Sequence, residues 1–381
     1  MKVSFKKIIA ALTPIFICLT IDCQQNSFII KPGDKWPDTE GNHINAHGGG
    51  IFFYNDSYYW FGEHRLERNE TDKSHYGVGC YSSKDLVTWK NEGLALKVLD
   101  DTASLLERGC VIERPKVIYN KKTGKFVMWF HHELKGQGYR AALTGVAVSN
   151  NITGPYKYIR SIRPNAGKWP LNFIEEQKKD TVRENQLKRG TPEWKQAEKD
   201  GMYLRRDFAG GQMARDMNLF VDSDGKAYHI FSSEENQTLH IAELTDDWLD
   251  FTGRYVRVLP GASNEAPAIF KRKNKYYMFT SGTTGWRPNP GRVAVSDGLF
   301  KEWQPLGNPC RGTDEQNKIT FGSQSTCVLP VKGKKDVFIF MADRWTPENL
   351  ADSRYVWLPV EWENDMPVIK WYPEWDLSTM K

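Results

Sequence analysis

The chain lacks most of the features that would assign a protein at a glance. Beyond the N-terminus no apolar run approaches the ~20 residues that a membrane-crossing helix needs, which excludes a multi-span membrane protein. HGGG at His47 has no GxSxG partner, no CxxC stands in a Cys/His spacing, and HHE at 131–133 is not HExxH, so the common serine-hydrolase and zinc-protease signatures are missing. Charge of one sign is scarce as well. The 52 Lys and Arg against 47 Asp and Glu leave +5 over 381 residues, with no basic face for nucleic acid. Of six cysteines, Cys80, Cys110, Cys310 and Cys327 lie beyond the N-terminal segment; they allow three disulfide pairings, with buried unpaired thiols as the plainer reading. A content of 40% hydrophobic and 26% charged residues excludes disorder.

What is abundant is aromatic: 14 Trp, 16 Tyr and 19 Phe, together 13% of the chain. Trp stacks on the apolar faces of sugar rings, and it fills β-sheet cores equally well. The N-terminus has a basic start (Lys2, Lys6, Lys7) and an apolar run over 8–21, the pattern of a secretory signal ending near residue 22. Export is therefore expected, to the periplasm or cell surface if the source is bacterial. Cys23 is a candidate for a lipid anchor, although Asp22 before it is a poor match to the small residue such processing wants. Residues 23–381 then read as a single catalytic domain.

Five stretches share one grammar: a polar opener, an apolar strand, a turn, an aromatic-rich strand and a strand of small residues. They begin at His47, Glu113, Asp216, Glu265 and Gln324. The turns NDS, KKTGK, DSDGK, KRKNK and VKGKK sit where a hairpin must reverse, and their Asn, Asp and Gly supply positive φ. Recurring antiparallel units of this kind predict an all-β fold, a five-bladed β-propeller; a two-sheet sandwich does not explain the recurrence. One spacing is too long. It is filled by 163–210, rich in Lys, Glu, Gln and Pro, which reads as a partly helical insertion between blades 2 and 3 with a helix after the Thr191 cap and Pro192.

In a propeller the first strand of each blade lines the central channel, so the openers converge at one end. Glu113, Asp216, Glu265 and Gln324 each precede strongly apolar residues, a costly setting for polar groups without a role or a partner. Crowded carboxylates raise one another's pKa, and one is expected to stay protonated near neutral pH. A protonated acid, an ionised carboxylate and room for water are the requirements of glycosidic bond hydrolysis.

The order of INAHGGG, YYWFGE, CYSSKDLVTWKNEG, ERPKVIYN, ARDMNLFVDSDG, EAPAIFK, SGTTGW, SQST and DRW resembles glycoside hydrolase family 43, and within it the exo-β-1,3-galactanase branch. The resemblance implies that Glu265 is the general acid and that Asp216 tunes it and orients the substrate. Family members in general have an Asp in the first blade as general base, whereas this chain has Ala46-His47-Gly48. In the galactanase branch Gln324 would hold the attacking water, with Glu113 as a rival base. Glu63, His47, Thr283, Trp286, Arg344 and Trp345 are the expected substrate-binding groups, and Trp89, Trp248 and Trp303 the expected core residues. The implied activity is removal of terminal galactose from a β-1,3-galactan polysaccharide or oligosaccharide, with inversion. The alternatives are an α-L-arabinofuranosidase of the same family and a non-catalytic sugar-binding propeller. No metal ligand set is expected at the site and no cofactor is required; a structural calcium ion in the channel is compatible with the fold.

Overall fold

The computed structural model describes residues 28–66 and 77–380; the signal segment and Cys23 lie outside the described residues. Five four-stranded antiparallel sheets follow one another along the chain, each a meander whose strands pair in sequence order. Blade 1 runs His47–Tyr54, Ser57–His64, Gly77–Ser83 and Lys90–Lys97, and blade 2 runs Val111–Asn120, Lys125–Glu133, Leu143–Ser149 and Lys157–Ile162. Blade 3 comprises Met217–Val221, Ala227–Ser233, Thr238–Leu244 and Phe251–Val258, and blade 4 Asn264–Arg272, Lys275–Gly282, Arg292–Ser296 and Gln304–Gly307. Blade 5 is Gln324–Pro330, Phe338–Arg344, Arg354–Glu363 and Met366–Ile369. Four hairpin turns carry positive φ on the residue types expected, Asn55 and Asp56 at 45° and 57°, Gly124 at 68°, Gly225 at 83° and Gly333 at 81°, whereas in KRKNK it falls on Lys273, at 53°, and not on the asparagine.

The innermost strands touch their neighbours around a ring, and Gln324–Pro330 closes it against His47–Tyr54. An apolar cluster fills each of the five blade interfaces. Strand alternation explains why the strands are apolar on both sides: Trp60 packs toward blade 5 and the next residue, Phe61, toward blade 2. Each such side chain contributes roughly 1.5–3 kcal/mol on burial. Trp89, Trp248 and Trp303 are buried, as are the free thiols of Cys80, Cys110 and Cys310; Cys327 is half-buried and also free. The junction of last and first blades is tied further by a two-stranded ribbon, Ile29–Ile30 with Trp375–Asp376, and by Gly33 N–H donating to Tyr355 O at 2.8 Å.

The insertion follows Ile162. Its helix Pro192–Lys199 has Pro at the first turn, and the Thr191 hydroxyl accepts from Trp194 N–H. Trp194, Ala197, Met202 and Tyr203 form a small core of their own, while Phe173 and Leu204 join the cluster between blades 2 and 3.

Candidate active site

The polar openers are aimed by a repeated backbone device. The register between the first two strands shifts after His47, Glu113 and Glu265, and in each case the following residue has positive φ: Gly48 at 59°, Arg114 at 54° and Ala266 at 53°. A bulge of this kind turns a side chain out of the ladder and toward the channel mouth, at a cost of about 1–3 kcal/mol for a non-glycine residue. In blade 1 the residue equivalent to Glu113 and Glu265 is His47, and the space beside it at Gly48 is taken from the second strand. A Cβ there would collide with the carboxylate of Glu63, which reaches over from the second strand and occupies that space. At Gly49 a Cβ would meet the Phe61 carbonyl, and at Gly50 the Lys116 side chain, 2.6 Å away. The HGGG run thus marks crowding.

The openers of blades 2 to 5 line one cavity of about 230 Å³. On one side, Glu265 Oε1 accepts from Asn236 Nδ2 at 2.7 Å. Burial first, then the adjacent Asp216, push the Glu265 carboxyl up to about 8, against the opposing pull of Arg114, Asn236 and Arg215. Asp216 Oδ2 accepts from the Ala266 backbone N–H and pairs with Arg114 Nη2, both at 3.1 Å. The bulge that turns Glu265 inward therefore also ties its strand to Asp216.

Across the cavity the surroundings reverse. Glu113 Oε1 accepts from Tyr139 Oη at 2.6 Å and from Arg65 Nη2 at 3.3 Å, and Oε2 faces His131 Nδ1 at 3.1 Å. His131 Nε2 meets Glu133 Oε1 at 2.9 Å. Burial alone would lower the His131 pKa, but the hydrogen bonds and charges of the two glutamates raise it to about 9. His131 is thus an imidazolium clamped between carboxylates. Glu113, His131 and Asp216 each bring one possible ligand atom within 4.8 Å of the others, and both His131 nitrogens face carboxylates. Glu63, 1% exposed, accepts from Arg65 and from the Arg114 backbone N–H at 2.9 Å; its ion pair with Arg65 is buried.

Arg114 joins the two sides. Its guanidinium donates to Gln324 Oε1 at 2.5 Å and to Ser325 O at 3.1 Å, besides its pair with Asp216. Trp345 Nε1 also donates to Gln324 Oε1, at 3.1 Å, and Gln324 Nε2 donates to Ser281 Oγ at 2.9 Å. Because Arg and Trp can only donate, these contacts fix which end of the amide is oxygen, and both acceptor positions of that oxygen are filled.

Among the expected site residues, Glu63, Glu113, Asp216, Glu265, Gln324, Trp286 and Trp345 line this cavity. Trp286 is 40% exposed and meets Trp345 edge-on at 5.3 Å. Arg344 lies in an adjoining cavity that shares both tryptophans, donating to Phe321 O at 2.7 Å. His47 is fully buried, stacked on Tyr355 at 5.2 Å, and Thr283 is exposed; neither is part of the cavity wall. Sequence reasoning missed Arg65, Arg114, His131, Tyr139, Arg215 and Asn236, which complete the wall. For His131 a signal existed: in HHE the first and third residues share one strand face, which points His131 and Glu133 the same way. Arg114 follows a predicted opener, but only the bulge brings its side chain to the site.

Residues 192–367 match the family model described as glycosyl hydrolases family 43. The chain is similar to a family 43 β-1,3-galactosidase solved with galactodeoxynojirimycin, at 53% identity and a TM-score of 0.88, covering 91% of this chain and all of that one. It also resembles an exo-β-1,3-galactanase from Clostridium thermocellum (35% identity, TM-score 0.73, 91% of this chain and 66% of that one). An exo-β-1,3-galactanase from Phanerochaete chrysosporium, solved with β-1,3-galactotriose, is similar at 30% identity and a TM-score of 0.72, over 92% of this chain and 68% of that one. No curated protein matches the chain.

Proposed function

Because the chain belongs to glycoside hydrolase family 43 and is a β-1,3-galactosidase-like glycoside hydrolase, we propose that it removes single galactose residues from the end of β-1,3-galactan, with Glu265 as proton donor. The observation that carries this reading is the buried Glu265 carboxyl beside Asp216, a setting that pushes its pKa up to about 8, in a cavity suited to one sugar ring. Glu265 gives its proton to the glycosidic oxygen as the bond from that oxygen to the anomeric carbon breaks. Water attacks that carbon from the opposite face, and its proton leaves to a base. Asp216, paired with Arg114, holds the ring and sustains the high pKa of the acid.

Gln324 and Glu113 divide the water side. As bonded here, the Gln324 amide presents N–H, which can hold the oxygen of water; to take a proton it would have to release Arg114 or Trp345. Glu113 is a carboxylate and can take the proton directly. Direct attack by water inverts the anomeric centre, so β-linked galactan yields α-galactose first. No step calls for a cofactor. The basic and apolar N-terminus supports export, to the periplasm or cell surface in a bacterium. Among the described residues no helix is long and apolar enough to cross a membrane.

The test is the early product from β-1,3-galactan, with its anomeric form followed by NMR. Free α-galactose released one residue at a time is expected. Arabinose as the product, internal cleavage or β-galactose would each overturn part of this reading. Azide added to Glu113→Ala and Gln324→Ala separates the base: rescue as a glycosyl azide marks the residue whose proton-accepting role was lost.

A further inference from the structure

The insertion at 163–210 ends more than one blade before Glu265 in sequence, yet it meets the turn that hydrogen-bonds the acid. Between the second and third strands of blade 3, Glu234, Glu235 and Asn236 have φ of 52°, 56° and 62°. Among the described residues this is the only run of three positive-φ residues without a glycine. Left-handed conformation is normally visited by single residues, and it costs roughly 1–2 kcal/mol per L-residue. Something must hold it. Glu234, fully buried, accepts two hydrogen bonds from Arg257, each 2.7 Å, and one from His240 at 2.8 Å. Arg257 in turn donates to the backbone carbonyls of Lys199 and Glu198 at the end of the insertion helix, at 3.0 and 3.3 Å. Glu235 accepts from Arg206 of the insertion at 2.8 Å. Arg206 is itself fixed by Asp207, at 2.8 and 2.9 Å, and lies over the Tyr203 ring. The product of these contacts is Asn236, whose Nδ2 reaches Glu265 at 2.7 Å while its Oδ1 sits 3.3 Å from Ser232 Oγ.

We propose that the insertion is a brace for the proton donor: through Arg206 and Arg257 it holds the 234–236 turn in the left-handed conformation that presents the Asn236 amide to Glu265. Asn236, Arg206 and Glu235 are positioning residues. This inference rests on the reading of Glu265 as the acid. The groups that face Glu265 are Asp216, Arg114, Arg215 and Asn236. Asn236 donates to the carboxylate and so favours its ionised form. Loss of that donor raises the pH at which Glu265 gives up its proton.

The experiment follows the Glu265 carboxyl by NMR in ¹³C-labelled protein, assigned by its disappearance in Glu265→Gln, together with the basic limb of the pH–activity profile. Asn236→Gly removes the amide, keeps the left-handed backbone accessible, and should move both upward by roughly half to one pH unit. Glu235→Gln is the decisive variant. Removing the negative charge, and with it the Glu235 partner 3.7 Å from Arg215, acts directly to lower the Glu265 titration, whereas loss of the brace raises it. An upward shift is expected. Arg206→Gln should shift it upward too, Arg206→Lys should restore most of the position, and the double variant Asn236→Gly with Arg206→Gln should move no further than Asn236→Gly alone. A downward or absent shift in Glu235→Gln overturns the proposal, as does an additive double variant. So does an Arg206→Gln protein that melts earlier with the Glu265 titration unmoved. Absence of galactose release from the unaltered protein would instead overturn the glycosidase reading, and the NMR titration would still test the brace.

Discussion

Glu265 and Glu113 are both glutamates near the start of an inner strand, both precede a residue with positive φ, and both face the same cavity. Their surroundings differ. Glu265 receives one neutral donor, Asn236, and has Asp216 beside it, so burial and like charge hold its proton. Glu113 receives Tyr139, the Arg65 guanidinium and the His131 imidazolium, donors that stabilise a carboxylate. The same residue type at equivalent places is thus held toward its protonated form on one side and surrounded by donors on the other, and the neighbours that decide this come from second strands and turns.

The sharpest break in this contrast is Glu265→Gln. A proton donor supplies a factor of roughly 10² to 10⁴, so turnover of galactan should fall by that much, measured as kcat/KM. An aryl galactoside with a good leaving group should lose far less. A loss under about tenfold on galactan would remove Glu265 from the role. Next in size is Arg114→Met, which takes away the charge shared by Asp216 and Gln324. Breaking a buried pair costs about 3–5 kcal/mol, read as a lower denaturant midpoint at unchanged m-value, and activity should fall with it. If stability holds, Arg114 is not the link between the two sides. Trp286→Ala should act mainly on KM, by about 3- to 10-fold, the weight of one aromatic contact. A fall in kcat alone would mean that Trp286 does not stack on the ring.

Glu133→Gln is the gentlest probe. It removes one of the two carboxylates that raise His131, so the imidazole should titrate below its present value near 9, as followed by NMR. His131 holds its proton more tightly folded than unfolded. The stability it contributes is therefore full below its ordinary pKa of about 6.5 and is lost as pH rises through about 9. The variant should lose it at lower pH. An unmoved titration would show that Glu113 alone clamps the ring.

How much of this was legible follows from which residues obey strand periodicity. The five units, their hairpin turns and the convergence of Glu113, Asp216, Glu265 and Gln324 all follow from alternation and from turn chemistry, and the Thr191-capped helix follows from its capping signal. Arg114 was not legible, because in a regular strand the residue after an opener points away; only the bulge at φ 54° turns it to the site. Asn236 and Tyr139 lie in turns whose path depends on tertiary contacts, an insertion in the case of Asn236. His47 was overread. A polar residue at an opener position is drawn to the channel mouth by analogy, but the glycines beside it give the space to Glu63, and the imidazole packs on Tyr355.

The central claim is that Asp216 and burial keep Glu265 protonated at neutral pH, and the pH dependence of kcat/KM tests it most directly. In the unaltered protein activity should fall as pH rises through about 8, where the acid loses its proton. In Asp216→Asn one like charge is gone, the pKa of Glu265 falls, and the basic limb should move to lower pH. A limb that stays in place or moves upward in Asp216→Asn would contradict the account.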